Sequence, residues 1–343
     1  MYNLSVNSAI DSFISRIKNL SQKLNSALLA LTLTFIAIVN VHAQTTASYP
    51  SKTVRVIVPF GAGGPSDLMA RIVAEKLALS LGQAFIIENR PGGSSILGTQ
   101  AVVNAAPDGY TLLVATSGPI VFNPALYSKL PFQPEKDLTP ISMICSYPLI
   151  MTVPVHSPAK SFKELVTYSN THSDKSNYAA PAASIQLAME LLKSKVGMQA
   201  VAIPYKGSAD SNNAVISGEV SMFLADALTA SGLIKGGRVR ALVVSSENRM
   251  KDFPDVPTFK EVGVDFQMRL WISLFAPVGT PSAISQRLQS EIARIVRMPD
   301  VQAKMASMTI TSEGGTSEEL AQAITAETKL WTAVAKANNI KGE

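Results

Sequence analysis

A glycine-rich segment after a short β-branched run is the part of this sequence best suited to ligand chemistry. The run Val54–Pro59 has the composition of a buried strand, and Gly61, Gly63 and Gly64 follow it before a helix that we expect from Ser66. Glycines allow positive φ and let a ligand approach the backbone without meeting a Cβ atom. The first turn of a helix presents free N–H groups and a partial positive charge. This pattern predicts a site for a small anion held mainly by backbone groups.

Asp67 lies beside this predicted loop, and its role is open from the sequence. A carboxylate in the first turn of a helix caps N–H groups and matches the helix dipole. It could also bind an ammonium or hydroxyl group of a ligand. A free Asp facing a carboxylate ligand would repel it.

The same segment also approximates a dinucleotide-binding fingerprint. Gly61 and Gly63 have the fingerprint spacing, and Glu88 follows about 20 residues later, where a ribose-binding acid would lie. Against this alternative, Ser66 takes the place of the third glycine and Pro65 interrupts the turn. A dinucleotide-using exported enzyme therefore remains a minor alternative.

Motifs of known enzyme mechanisms are absent from the sequence. There is no Gly-x-Ser-x-Gly elbow, no His-Glu-x-x-His zinc motif and no Gly-Lys-Ser/Thr phosphate loop. Beyond residue 43 the histidines are His156 and His172, both in polar contexts that suit surface residues. Cys145 is the single cysteine, lies in an apolar stretch and is expected to be buried. We predict a protein that is not an enzyme and that uses no cofactor or metal.

The first 43 residues have the pattern of a cleavable secretory signal. Three basic residues precede an apolar run, Ala27–Val39, and Val41-His-Ala43 resembles a signal peptidase site. The apolar run is too short for a spanning helix, which needs roughly 20 residues. We therefore expect a periplasmic protein. The formal charge of the whole chain is only +5 and no Lys/Arg cluster occurs, so nucleic acid is not an expected partner.

Strand-like and helix-like segments alternate through the rest of the chain, which predicts an α/β fold with mostly parallel sheets. Two long extended segments, Ile141–Val153 and Met268–Ala276, are candidates for strands that cross between two lobes. Lobe 1 would then comprise residues 46–146 plus 272–343, and lobe 2 residues 147–271. Thr280 is predicted to cap the first of two closing helices, and Thr316 the second. The remaining predicted elements are helices at 66–81, within 93–106, from 161, at 184–195 and at 208–217, and strands at 84–88, 110–115, 178–180, 200–203, 220–224 and 240–245.

A set of motifs across residues 48–343 resembles the Bug-type periplasmic receptors of tripartite tricarboxylate transporters. Any one of these motifs would be weak evidence, but the set occurs in order along the whole segment. The motifs are Pro59-Phe-Gly-Ala-Gly-Gly-Pro-Ser-Asp67, Glu88-Asn-Arg-Pro-Gly-Gly93, Ala106-Pro-Asp-Gly-Tyr-Thr111, Asn123-Pro-Ala-Leu-Tyr127, Ile203-Pro-Tyr-Lys-Gly207, Pro254-Asp-Val-Pro-Thr258 and Phe275-Ala-Pro-Val-Gly-Thr-Pro281.

The resemblance implies a two-lobed periplasmic-binding-protein fold of type II character, hinged by two crossing strands. It implies a small carboxylate held in the cleft, lobe closure around it, and delivery to membrane permease subunits or to a sensor by a monomeric receptor. Gly92 to Gly98 would form a further wall. The implied ligand-binding residues are Phe60, Gly61, Ala62, Gly63, Gly64, Ser66 and Asp67 in lobe 1, and Ser184, Tyr205, Lys206 and Asp226 in lobe 2.

The sequence departs from the family pattern at the loop Tyr178–Ser184. The family usually carries glycines and a Ser or Thr there, whereas this chain has four alanines and one proline between Tyr178 and Ser184. Fewer free N–H groups would point inward, so the second end of the ligand need not be a carboxylate. This departure also supports a second hypothesis, in which the chain is a degenerate receptor that binds no small molecule and acts through protein contacts.

Overall fold

The computed structural model describes residues 49–342. The predicted signal segment, residues 1–43, lies outside the described residues. Nothing in the described part tests the predicted lobe boundaries, which stay a prediction.

Three parallel strands and the helices between them form the first part of the main sheet. The β-branched run after residue 53 forms β1, which is almost fully buried, and β2 and β3 flank it on either side. The chain therefore follows the predicted βαβαβ order. The elements are β1 (Val54–Val58), α1 (Pro65–Leu81), β2 (Phe85–Asn89), α2 (Ile96–Val103) and β3 (Thr111–Thr116).

Two long strands run antiparallel through the centre of the structure. Strand β4 (Leu138–Pro154) pairs with β9 (Arg269–Pro277) along its first part and with β7 (Phe223–Asp226) and β8 (Val239–Val244) along its second. These strands match the two extended segments predicted to cross between lobes. A π-helical turn (Gly118–Phe122) and the short helices α3 (Asn123–Leu126) and α4 (Pro134–Asp137) connect β3 to β4.

The middle of the chain is a second set of alternating helices and strands. Strands β5 and β6 pair in parallel, and a parallel bridge from Tyr178 to Met222 links β5 to the segment before β7. The elements are α5 (Phe162–Thr171), β5 (Asn177–Ala180), α6 (Ala183–Val196), β6 (Val201–Pro204), α7 (Ser208–Ser217), β7 (Phe223–Asp226), α8 (Ala227–Lys235) and β8 (Val239–Val244).

Three helices close the chain, where two were predicted. They are α9 (Ser282–Ile295), α10 (Pro299–Ala306) and α11 (Ser317–Ala337), with the two-residue strand β10 (Thr311–Ser312) before α11. The predicted capping box at Thr316 is present in full. The predicted cap at Thr280 is wrong, because the N-cap of α9 is Pro281 and the Thr280 hydroxyl donates to the carbonyl of Pro277 instead.

Two further corrections concern the middle of the chain. Helix α8 is absent from the sequence prediction, since Gly232 weakens its helical pattern. The strand predicted at Val220–Leu224 is shifted to Phe223–Asp226. Ser161 caps α5, and the Glu164 carboxylate accepts from the amide of Lys160 rather than from that of the N-cap.

The core confirms the burial predicted for Cys145, and burial raises the pKa of its thiol. Trp271 of β9 is fully buried, and its indole N–H donates to the Glu327 carboxylate on α11.

No helix within residues 49–342 is both long enough and apolar enough to cross a bilayer.

Helix α2 lies unusually close to the end of β1, and Gly98 makes this approach possible. A Cβ atom at Gly98 would lie 2.6 Å from the carbonyl oxygen of Arg90 and 2.8 Å from the Cα atom of Pro59. Both are backbone atoms that cannot move aside cheaply. The packing of α2 against Pro59 therefore fixes the start of the glycine-rich segment.

We predict that Gly98→Ala destabilises the protein by about 1–3 kcal/mol, although Ala is the better helix former, because the added methyl overpacks a backbone contact. The matched control is Gly232→Ala in α8, where a Cβ meets nothing within 4 Å. The control should gain about 0.5–1 kcal/mol. Urea unfolding of both variants measures the difference. Equal stability of the two variants would refute the proposed close packing.

Candidate functional site

The carboxyl ends of β1, β2 and β3 lie at one edge of the sheet, because the three strands are parallel. The loops that follow them begin at Pro59, Arg90 and Ser117. The chain passes from β1 to β2 on one side and then crosses to β3 on the other. In open α/β sheets such a change of direction leaves a crevice outside the carboxyl ends, where ligands bind.

The glycine loop, residues 59–64, presents open backbone at this edge. Gly61, Ala62 and Gly63 are exposed, and Gly63 has φ +83°. A Cβ atom built at Gly61 or at Gly63 would meet nothing within 4 Å. Among the described residues, the amide N–H groups of Gly61 and Ala62 have no hydrogen-bond partner. The loop therefore offers donors and space for a ligand.

Helix α1 begins directly behind the loop. Its N-cap is Gly64, whose missing side chain cannot cap the first turn, and Pro65 follows it. Ser66, the predicted start, is the second helical residue and is buried. The positive end of the helix dipole thus points into the loop without a side-chain cap.

Asp67 is buried and accepts hydrogen bonds from three protein groups. Its Oδ2 atom accepts from the Gly63 amide at 2.9 Å and from Arg71 Nε at 3.0 Å, and its Oδ1 atom accepts from Asn89 Nδ2 at 3.0 Å. The hydrogen bond from Arg71 lowers the pKa of Asp67 to about 2, with help from Gly63 and Asn89 and against the effect of burial. The carboxylate therefore holds the glycine loop against α1; direct contact with a ligand stays a prediction.

Asn89 is a site residue that the sequence interpretation missed. Its Nδ2 group donates to the carbonyl of Phe60 at 3.1 Å as well as to Asp67. In the sequence, the only indication of a role for Asn89 was its position within the Glu88–Gly93 motif. Glu88 itself, the candidate ribose ligand of the dinucleotide alternative, is paired with Arg55 and Arg90.

The turn after β2 has a strained backbone. Gly92, Gly93, Ser94 and Ser95 all have positive φ, which is unfavourable for the two serines. The Asn123 side chain donates to the carbonyl of Ser94, and the Tyr127 hydroxyl donates to the Ser94 hydroxyl. Two residues of the Asn123–Tyr127 motif thus support this turn beside the glycine loop.

The four residues predicted in the second half of the chain lie at the carboxyl ends of β5, β6 and β7. Ser184 is the second residue of α6, whose N-cap is Ala182 and has no side-chain cap. Asp226 is the N-cap of α8 and also accepts from the Ser208 hydroxyl at 2.8 Å. This bond joins the ends of β6 and β7. Whether these residues contact a ligand stays a prediction.

Tyr205 and Lys206 border an open hollow of about 790 Å³ beside α7. The Tyr205 hydroxyl donates to Glu219, and burial together with this bond raises the pKa of Tyr205 to about 12. Asp210 and Glu219 line the same hollow. An anion there would meet two acidic groups besides Lys206, so the hollow is a poor match for a carboxylate ligand.

Comparison with known proteins identifies the family. The model of the tripartite tricarboxylate transporter family receptor matches residues 69–340. The chain belongs to this family. The protein BugT of Bordetella pertussis is 31% identical over 319 residues, which are 92% of this chain and 98% of BugT.

Solved structures to which this chain is similar, among them the periplasmic binding protein BugD, confirm the predicted periplasmic-binding-protein fold. Rpa4515 of R. palustris with adipate has a TM-score of 0.77 at 29% identity and covers 85% of this chain and 99% of its own. MatC from Rhodopseudomonas palustris with bound malate has a TM-score of 0.73 at 32% identity, covering 83% of this chain and 99% of its own. The family is one of receptors that bind solutes.

We predict that Asp67→Asn lowers the free energy of unfolding by about 2 kcal/mol at neutral pH. The folded-state pKa of Asp67 lies below its usual value of 3.8. Its ionised form therefore contributes stability above pH 4, and this contribution is lost as the pH falls towards 2. Urea unfolding at pH 7 and at pH 2 should show a difference between wild type and variant that shrinks in acid.

The control is Asp265→Asn, because the Asp265 side chain is fully exposed in its pair with Lys195. This variant should match wild type at both pH values. A loss for Asp67→Asn that is the same at pH 7 and pH 2 would show that the charge of Asp67 does not stabilise the loop.

Proposed function

We propose that the protein is a periplasmic receptor that captures a small carboxylate, with one carboxylate group bound at the glycine loop. The observation that carries this proposal is the open backbone at Gly61 and Gly63 in front of the uncapped N-terminus of α1. Each hydrogen bond to a charged acceptor contributes roughly 1.5–3 kcal/mol. Several such bonds offset much of the cost of association for a small anion.

The state of Asp67 supports an anion site rather than opposing it. A carboxylate so near the loop would repel an anionic ligand if it were free. Here Arg71 pairs with it, and Gly63 and Asn89 donate to it. Its charge is therefore largely compensated before a ligand arrives.

The relatives support the proposed ligand class. The solved relatives contain adipate and malate, which are both short dicarboxylates. We infer that this receptor binds a small molecule with at least one carboxylate. The Gly-free loop Tyr178–Ser184 favours a second end that is less polar than a carboxylate.

The proposed mechanism is closure of two lobes around the ligand. Strands β4 and β9 are the segments suited to act as the hinge, since β4 pairs with β9 along one half and with β7 and β8 along the other. A ligand that contacts both lobes only in the closed form shifts the population to that form. The closed monomer would then deliver its ligand to the permease subunits of a tripartite transporter or to a sensor.

The second candidate function is a degenerate receptor that acts through protein contacts alone. The alanine-rich loop before α6 favours it, because that loop lacks the glycines that would let a ligand approach its backbone closely. The test is native mass spectrometry of the protein purified gently from periplasm. A bound small carboxylic acid supports the receptor; an empty protein without a thermal shift across a panel of short carboxylates supports the degenerate form. A dinucleotide mass would support the exported enzyme.

We predict that Gly61→Ala weakens carboxylate binding by about tenfold or more without loss of stability, since the new methyl enters space that is empty in the protein and meets nothing within 4 Å. Isothermal titration with malate and adipate measures the effect. Gly232→Ala, which adds the same methyl to α8, should bind like wild type. Unchanged affinity of Gly61→Ala would remove the glycine loop from the site.

A further inference from the structure

Ser117 carries a buried hydroxyl without a partner. The side chain is 1% exposed, and its oxygen makes no hydrogen bond within the described residues. Buried polar groups in folded proteins are nearly always paired, because an unpaired one loses its hydration without compensation. A hydroxyl left in this state is a candidate partner for a ligand atom.

Ser117 lies just beyond the carboxyl end of β3, next to the end of β1. Ile57 of β1 pairs with Leu113 of β3. Gly61 lies four residues after Ile57, and Ser117 lies four residues after Leu113. The two residues therefore leave the same edge of the sheet on neighbouring strands, at the point where the chain changes direction.

The segment after Ser117 is held firmly. A π-helical turn begins at Gly118, and such turns are frequent at functional sites. Asn123 and Tyr127, a few residues later, both donate to Ser94 in the turn after β2. Helix α2, which follows that turn, contacts Pro59 through Gly98. The loops after all three strands thus support one another around the crevice.

We propose that the Ser117 hydroxyl donates a hydrogen bond to the carboxylate held at the glycine loop. One oxygen of the group accepts from backbone N–H groups of the loop, and the other accepts from Ser117. Because the hydroxyl is already desolvated and its segment is fixed, little ordering is needed when the ligand binds. Ser117 is then the side chain that adds selectivity to a site built otherwise from backbone. This inference rests on the proposed carboxylate receptor.

Ser273 provides a matched control. It is also a buried serine without a partner for its hydroxyl, and it lies on β9 directly opposite Ala115 of β3. It differs from Ser117 in its place, because it lies within the sheet rather than at the carboxyl edge. An effect on binding that is specific to Ser117 therefore reports on the crevice and not on buried hydroxyls in general.

The test compares wild type, Ser117→Ala and Ser273→Ala by isothermal titration with malate, adipate and a panel of short mono- and dicarboxylates, and by thermal unfolding without ligand. We expect Ser117→Ala to bind about 10 to 100 times more weakly. Its unliganded Tm should equal or exceed that of wild type, because the lost hydroxyl has no partner in the free protein. Ser273→Ala should bind like wild type.

Three results would overturn the inference. If wild type binds and Ser117→Ala binds equally well, Ser117 does not contact the ligand while the proposed function stands. If Ser117→Ala loses several degrees in Tm, the hydroxyl has a structural partner. If wild type binds no carboxylate in the panel, the proposed function fails and the inference fails with it.

Discussion

The carboxylate of Asp67 is the centre on which the candidate site depends. It joins the amide of Gly63 in the loop, Arg71 one turn along α1 and Asn89 at the end of β2. Without these bonds the glycines would leave the loop free to adopt many conformations, and the open donors at Gly61 and Ala62 would not be preorganised. A buried ionised group with several hydrogen bonds thus supplies the rigidity that glycines cannot.

This arrangement reconciles two demands that conflict in an anion site. The loop needs a strong acceptor to fix it, but an anion beside the site would weaken binding of an anionic ligand. Arg71 resolves the conflict by pairing with Asp67 at 3.0 Å. The proposed ligand would then meet the uncapped start of α1 and backbone donors, which favour negative charge.

The sheet explains why the remaining parts lie where they do. The loops after β1, β2 and β3 share one edge because the strands are parallel, and Gly98, Asn123 and Tyr127 join these loops to one another. The long strand β4 is continuous with both halves of the structure. A rigid edge and a long strand that pairs with both sets of strands suit the proposed mechanism, in which the receptor binds first and closes afterwards.

The elements that the sequence predicts correctly are those whose structure is determined by residues close to them in sequence. The β-branched run at Val54, the cap at Thr316 and the glycine spacing at Gly61 each depend on neighbouring residues, and the family resemblance places them in order. The errors also have local causes. Gly232 lowers the helix propensity of α8, so the sequence does not predict this helix. Thr280 is a residue type that often caps helices, but its hydroxyl donates to the carbonyl of Pro277.

The sequence by itself determined that this chain has a glycine-rich loop at the start of a helix, because that motif lies within one short segment. Only the tertiary structure decided that Asn89 fastens the loop, that Tyr127 supports a strained turn and that Ser117 reaches the same edge. These contacts join segments 22 to 33 residues apart in sequence or lie on different strands. Their meeting depends on strand order and register, which no single stretch of sequence specifies.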